Sequence, residues 1–232
     1  MTPAKRAILF RNRPSLLTSL VAYYSFESLL TDFSGNGNTL TNTNTVTTGV
    51  GKVGSNSASF VRTSSQYLSV ANTQFQTTGS VSMAAWFQLA SIVATYKVLF
   101  GIHGDTFKQW SLQIDSSHRL RSVISSNGTN ETEALVTTVL TASVWHFGVL
   151  WYDSVAQTIN CQMDNGTPIS TSFTSAVFQG SGAMRFGASN TPGDFHDGLV
   201  DEAGFWKRVL TSDERTALYN GGSGRTYPFV GT

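Results

Sequence analysis

Two adjacent carboxylates, Asp201 and Glu202, lie in the segment DGLVDEAGFWKR (residues 197–208), inside an apolar run that is typical of a β-strand. Paired acids can serve catalysis, bind a metal ion or support the structure. Because neighbouring strand residues point to opposite faces, the two carboxylates are not expected to converge on one bond. One of them is expected to face inward, where a carboxylate needs a cation or several hydrogen-bond donors.

Glycoside hydrolysis is the catalytic chemistry that paired acids most directly suggest, and it requires two carboxyl groups about 5–10 Å apart. The chain has five Glu residues, and Glu131 and Glu133 are the one Glu pair with the spacing that places both on one face of a strand. They lie in SNGTNETEA, which is predicted to be a loop. The sequence therefore predicts no enzyme, and a polysaccharide-active glycoside hydrolase is only the third interpretation of the function.

Other reactive residues do not form a recognisable set. Cys161 is the single cysteine, so no disulfide can form within the chain. None of the four histidines has the spacing of a zinc site, and the chain has no Gly-Lys-Ser/Thr phosphate loop. The histidines are His103, His118, His146 and His196.

Composition limits the partners. Of 232 residues, 12% are charged and the net charge is +1, so the chain has no overall field to attract nucleic acid or an anionic membrane. No apolar stretch approaches the roughly 20 residues of a membrane span. Lys5 and Arg6 precede only four apolar residues, so no secretion signal is expected.

The pattern along the chain is that of a β-protein. More than ten short runs rich in Val, Ile, Phe, Tyr and Trp are separated by Gly, Asn, Ser and Asp, and Asn165-Gly166 predicts a hairpin. The polar residues 36–51 are predicted to be a long loop with one irregular strand. One helix is predicted at 211–222, where Thr211 and Glu214 have capping-box spacing. The fold class is therefore all-β, a sandwich of two antiparallel sheets with one short C-terminal helix.

Several segments occur in an order that resembles a known superfamily. TDFSGNGN is followed by SASFVRTSSQYLSV, then by VSMAAWFQL, and finally by DGLVDEAGFWKRVLTSDERTALYNGG. Together they resemble the laminin G-like, concanavalin A-like jelly-roll superfamily over about 200 residues. This predicts a basic N-terminal arm (1–15), a jelly-roll domain (16–222) and a C-terminal tail (223–232).

The resemblance implies one structural calcium ion. Its ligands would be two carboxylates and the backbone oxygens of a glycine-rich turn, a donor set that suits calcium. The residues are Asp32, Gly35, Asn36, Gly37 and Asp201. The alternative is an Asx-turn at Asp32, with a salt bridge to Arg208 or hydrogen bonds from backbone amides at Asp201.

Aromatic residues have two interpretations. Alternation within strands predicts that five of them belong to the core, namely Trp86, Phe87, Trp145, Phe147 and Trp151. A glycan site needs an exposed aromatic ring near polar groups. The candidates are Trp110, Tyr96, His103 and Phe195.

The N-terminal arm carries four basic residues before the first acid, Glu27; they are Lys5, Arg6, Arg11 and Arg13. It is either a loose tail or an arm that binds a partner subunit. The segment PSLLTSLVAYYSF resembles the start of bacteriophage structural proteins that carry this domain.

The predicted function is a non-catalytic structural and binding module on a virion surface. Its partners would be other virion subunits or a second copy of itself, with adhesion to host glycans as a further role. The alternative is an extracellular, calcium-dependent lectin or adhesion module.

Overall fold

A computed structural model describes residues 15–191 and 193–229. Within these residues the chain forms fifteen β-strands and one α-helix, α1 (Ser212–Tyr219), together with three single 3-10 turns at Arg62–Ser64, Asn72–Gln74 and Asn220–Gly222. The strands are β1 (Leu20–Tyr24), β2 (Thr41–Thr43), β3 (Thr47–Val50), β4 (Asn56–Phe60), β5 (Tyr67–Val70), β6 (Val81–Leu89), β7 (Lys97–Ile102), β8 (Trp110–Ile114), β9 (Arg119–Ile124), β10 (Thr132–Val139), β11 (Trp145–Asp153), β12 (Thr158–Met163), β13 (Ile169–Ser172), β14 (Met184–Phe186) and β15 (Gly198–Trp206).

The strands form two antiparallel sheets. The eight-stranded sheet has the order β13-β12-β11-β6-β15-β4-β3, and β1 also pairs with β15. The seven-stranded sheet has the order β10-β9-β8-β7-β14-β5-β2. Non-consecutive neighbours such as β11 and β6, or β14 and β7, are joined by crossovers between the sheets, as in a jelly roll. The predicted fold class is confirmed.

The main core lies between the two sheets. Alternate residues of the long strands point inward, so that β8 contributes Trp110, Leu112 and Ile114 while its intervening residues face away. Cys161 is buried in this core.

A second apolar layer covers the outer face of the eight-stranded sheet. Trp86, Phe147 and Trp151 pack there, below α1 and the chain that follows it. Tyr227 stacks on Tyr23 with ring centroids 5.4 Å apart. Phe87 lies in the main core and Trp145 is partly buried. The five aromatic residues predicted as core residues therefore divide between two layers.

The helix begins where the capping-box residues in the sequence predict it. Thr211 caps α1, and its hydroxyl accepts the backbone N–H of Glu214, whose carboxylate accepts the backbone N–H of Thr211. The helix is shorter than predicted because Asn220, with φ 48°, takes the left-handed C-cap position before the glycines. The predicted hairpin is present, with its tight turn centred one residue early, since Asp164 and Asn165 have the positive φ angles.

The four basic residues predicted to bind a partner, Lys5, Arg6, Arg11 and Arg13, lie outside the described residues. Within the described part of the chain, no helix is long and apolar enough to cross a membrane.

Removing the Thr211 cap should destabilise the protein. We expect Thr211→Ala to lower the free energy of unfolding by about 1 kcal/mol, because the first turn of α1 loses one satisfied amide. Urea denaturation measures the change. Ser212→Ala, at the next exposed position, is the control and should shift stability by less than about 0.5 kcal/mol; equal effects from the two variants would refute the capping role.

Candidate functional site

The adjacent acids of β15 lie at a β-bulge. The register between β15 and β6 shifts between Asp201 and Gly204, and Glu202 has φ 47°, a left-handed conformation. The bulge interrupts the alternation of the strand, so both side chains lie on the outer face of the eight-stranded sheet. The expectation that the two acids point to opposite faces was wrong, and both are buried: Asp201 is 0% exposed and Glu202 is 5% exposed.

Asp201 holds the turn between β3 and β4 to β15 through hydrogen bonds. One of its carboxylate oxygens accepts the backbone N–H groups of Lys52 (2.8 Å) and Val53 (3.0 Å). The other oxygen accepts the N–H of Glu202 at 2.8 Å. Burial raises the pKa of Asp201 to about 7, although these three amides favour the charged form.

Glu202 bonds to β1 through a short hydrogen bond from the hydroxyl of Tyr23. Burial raises the pKa of Glu202 to about 8, and the nearby charges of Asp201 and Glu27 add to the rise, while the Tyr23 hydroxyl opposes it. Glu27 is itself bound to the backbone N–H groups of Ser55 and Asn56. Three carboxylates therefore hold the β3–β4 turn and β1 against β15.

Neither acid of β15 is open to a polysaccharide in this structure. Tyr23, Trp86 and Trp206 surround Glu202, and the gaps between them are too small to hold a water molecule. Raised pKa values often mark general acids, but a general acid must reach its substrate. The geometry supports a structural role for Asp201 and Glu202.

The raised pKa values predict that stability falls with rising pH. In the unfolded chain both acids ionise near pH 4, whereas in the folded protein they hold their protons up to about pH 7–8. The folded state therefore binds more protons at these two acids between these limits, and their contribution to stability decreases from pH 5 to pH 8, by roughly 6 kcal/mol. His196 opposes part of this decrease below about pH 6.5, because burial lowers its pKa to about 4.

Thermal melts in metal-free buffer measure this slope. Glu202→Gln should roughly halve it, since one of the two titrating groups is removed. A slope that is flat, or that is unchanged in Glu202→Gln, would contradict the assignment.

The turn at Asp32 covers the free edge of β1. The Asp32 carboxylate accepts the backbone N–H groups of Tyr23 (3.1 Å), Ser34 (2.9 Å) and Asn38 (2.9 Å). The carbonyl of Val21 accepts hydrogen bonds from the side chains of Ser34, Asn36 and Asn38. Gly35 and Gly37 have φ angles of 85° and 78°, which the turn requires. An exposed strand edge is thus closed by side chains and an Asx-turn.

The residues predicted to bind calcium are divided between two places. Asp32 bonds to the edge of β1, whereas Asp201 bonds to the β3–β4 turn. Among residues 15–191 and 193–229, no group of three or more His, Cys, Asp or Glu side chains has the arrangement of a metal site. The hydrogen bonds of Asp32 and Asp201 match the alternative without a metal, an Asx-turn at Asp32 and backbone amides at Asp201. Arg208 does not pair with Asp201, because it binds Glu214. The predicted ligand set does not fit one calcium ion here, and calcium binding stays a prediction.

The four residues predicted to bind a glycan do not lie together in one site either. The prediction that Trp110 binds a glycan was wrong. Trp110 is 1% exposed and stacks on Phe205 in the main core, so its ring is not available to a ligand at the surface. Phe195 is half-buried in the segment before β15. Tyr96 and His103, in contrast, lie near one group of charged side chains on the outer face of the seven-stranded sheet.

We call this group the Glu131 cluster; it comprises His103, Lys108, Arg121, Glu131 and Glu133. Glu131 is its centre, with contacts to His103 Nε2 (2.9 Å), Lys108 Nζ (3.0 Å) and Arg121 (3.1 Å). Arg121 also binds Glu133 at 3.0 Å, and its Nε donates to Gln113. Strands β8 and β9 place Gln113 and Arg121 side by side in register.

Tyr96 lies over this cluster. Its ring packs on the Arg121 guanidinium at 4.6 Å, and the residue remains 42% exposed. Lys97 anchors the loop that carries Tyr96, because its buried ammonium donates to the carbonyls of Val93 (2.6 Å) and Thr95 (2.9 Å). One face of an aromatic ring is therefore fixed by a cation while the residue is open to solvent.

Unsatisfied polar atoms lie beside the cluster. His103 Nδ1 and both amide atoms of Gln109 are buried and have no hydrogen-bond partner. Ile102 of β7 pairs with Trp110 of antiparallel β8, so His103, which follows Ile102, and Gln109, which precedes Trp110, lie on the same face. A buried polar atom without a partner costs about 1–3 kcal/mol, so this corner lowers the stability of the fold.

Glu131 is unsuited to act as a general acid. Burial alone would raise its pKa, but the hydrogen bond from His103, the charge of Arg121 and the hydrogen bond from Lys108 outweigh burial and lower the pKa to about 2. The carboxylate stays ionised and occupied by cations, which favours binding over proton transfer. Three members of this site were not predicted: Lys108, Arg121 and Gln109. The signal for Gln109 is its place in a row with Ser111 and Gln113, which alternates with core residues and therefore faces outward.

Comparison with known proteins identifies the family. A model of the concanavalin A-like lectin/glucanases superfamily matches residues 62–214, about two thirds of the chain. The chain belongs to this superfamily. A search of curated protein sequences found no match.

Three similar solved structures share the fold. The binding domain of Paraclostridial Mosquitocidal Protein 1 has a TM-score of 0.73 at 14% identity, covering 88% of this chain and 52% of that one. Domain 4 of AbnA, an extracellular GH43 arabinanase from Geobacillus stearothermophilus solved with arabinotriose, has a TM-score of 0.69 at 16% identity, covering 89% and 98%. The binding domain of botulinum neurotoxin DC in complex with SialylT has a TM-score of 0.69 at 13% identity, covering 89% and 52%.

These likenesses establish the architecture, and this chain spans about half the length of the two toxin domains. Identities of 13–16% carry no residue assignments. The fold is that of carbohydrate- and receptor-binding modules, and the site on this chain must be argued from its own residues.

Proposed function

We propose that this protein is a non-catalytic module that binds a neutral saccharide on the outer face of the seven-stranded sheet. The observation that carries the proposal is Tyr96, which lies on Arg121 and remains exposed above the Glu131 cluster. A sugar ring packs its C–H face on an aromatic ring, while its hydroxyls need fixed donors and acceptors nearby.

The charges of the cluster favour a neutral ligand. Glu131 and Glu133 are matched by Lys108 and Arg121, so the surface offers both acceptors and donors without a net field. Glu133 is the most exposed of these charged side chains, at 44%, and can accept hydrogen bonds from sugar hydroxyls. The fold shared with an arabinanase domain that was solved with arabinotriose is consistent with this class of ligand.

Alanine at Tyr96 tests the site. We expect Tyr96→Ala to weaken saccharide binding at least tenfold, which corresponds to about 1.4 kcal/mol, because the stacking surface is lost. The measurement is a glycan-array screen of the full chain, followed by isothermal titration with the best neutral oligosaccharide.

Tyr67→Ala is the matched control, since Tyr67 packs on Arg185 at 4.3 Å in the same sheet but away from the cluster. It should leave the affinity unchanged. Equal losses in both variants, or no neutral saccharide bound at millimolar concentration, would refute the proposal. Release of reducing sugar that disappears in Glu131→Gln would instead support the hydrolase.

We also propose that the module is carried on the surface of a bacteriophage particle. The support is the resemblance of PSLLTSLVAYYSF to phage structural proteins and the four basic residues of the arm. Mass spectrometry of purified particles should find the chain in a fixed ratio to the capsid protein. Its recovery only from the culture medium would favour the extracellular lectin.

Calcium binding stays a separate proposal, at a place other than the predicted ligand set, which does not fit one ion. Added calcium should raise the melting temperature of the full chain at pH 8, and a chelator should reverse the rise. An unchanged melting temperature would exclude the ion.

A further inference from the structure

The described edge strands of the sandwich differ in how they are protected from pairing with another strand. The free edge of β1 is covered by the Asp32 turn. Strand β2 has only three residues, and the amide of its Asn42 bonds to both the N–H and the C=O of Val46. Strand β10 carries Glu133 and a register shift, and it lies against β13. Short length, charge, irregularity and cover are the means by which proteins prevent edge pairing.

Strand β3 is also short, but within the described residues it has no charge, no irregularity and no cover. It is one of the two terminal strands of the eight-stranded sheet, with β13 at the other end, and it is regularly paired with β4 from Thr47 to Val50. Its residues are Thr, Thr, Gly and Val, and the chain has no charged residue and no proline between Asp32 and Lys52. Val50 is 81% exposed. Because only alternate residues of an edge strand bond to the neighbouring strand, half of the β3 backbone groups point away from β4.

We propose that β3 is a self-association edge, where the β3 strands of two copies of this chain pair antiparallel about a two-fold axis. An uncharged edge is complementary to itself, because neither copy brings a charge that the other must neutralise. Threonine pairs across an antiparallel ladder are favourable. A two-fold axis also uses the same four residues on both chains and closes the pair, so that no open filament forms.

The edge is short, so the dimer should be weak in solution. Four residues on each side give only a few backbone hydrogen bonds and an interface at the small end of the range for specific contacts. Such a contact suits proteins held close together on a surface, where the effective concentration is high. The proposal does not depend on saccharide binding, since β3 and the Glu131 cluster lie in different sheets.

Sedimentation of the full chain tests the edge, over concentrations from about 10 µM to about 1 mM, the range expected for a weak interface. We expect a monomer–dimer equilibrium, and Val50→Lys should raise its dissociation constant at least tenfold. Val155→Lys is the matched control, because Val155 is 91% exposed in the turn between β11 and β12. It should leave the equilibrium unchanged.

Three outcomes would overturn the proposal. They are a monomer at every concentration, equal effects of Val50→Lys and Val155→Lys, and a dimer lost on deletion of residues 1–14 but kept in Val50→Lys. Amide exchange gives a second readout that needs no variant. The amides of residues 47–50 should exchange more slowly at high protein concentration, and equal rates at all concentrations would also contradict the pairing.

Discussion

The burial of two neighbouring carboxylates in β15 is the constraint on which one side of the sandwich depends. An acid removed from water must be protonated or receive donors, and here both occur: Asp201 takes three backbone amides and Glu202 takes the Tyr23 hydroxyl. Apart from the amide of Glu202 itself, those donors come from the β3–β4 turn and from β1, so both elements are held to β15 by polar bonds in addition to the apolar layer beneath α1. The bulge at Glu202 makes this possible, because it turns both side chains to one face.

The two outer faces of the sandwich therefore have different roles. The outer face of the eight-stranded sheet is sealed by aromatic residues, and its acids are inaccessible. The outer face of the seven-stranded sheet carries matched ion pairs around Glu131 and an exposed Tyr96. A rigid scaffold with a polar, partly aromatic face has the physical properties of the binding module proposed above.

Periodicity was enough to predict the sandwich, and capping chemistry was enough to predict the helix, because both signals are local. Alternation does not tell which face of a strand is inward, and the polar residues before Trp110 made it a candidate for a glycan site although it lies in the core. The bulge at Glu202 depends on contacts with Tyr23 and the β3–β4 turn, which are distant in sequence.

The polar residues 36–51 contain two strands, β2 and β3, where one irregular strand was predicted, because threonine-rich edges lack apolar alternation. Lys108 and Glu131 lie in two different loops, so their contact depends on how those loops fold and has no signal in the local sequence.

Asp201→Asn tests the central claim, that the acids of β15 serve structure and not ligand chemistry. Asparagine keeps one acceptor oxygen, so its NH2 group must face an amide donor, and we predict a loss of about 1–3 kcal/mol in the free energy of unfolding. Saccharide affinity, measured in the same preparation, should not change. Asp153→Asn, in an exposed turn with a similar backbone bond, is the control and should cost much less. A variant as stable as the wild type that loses affinity or turnover would contradict the account.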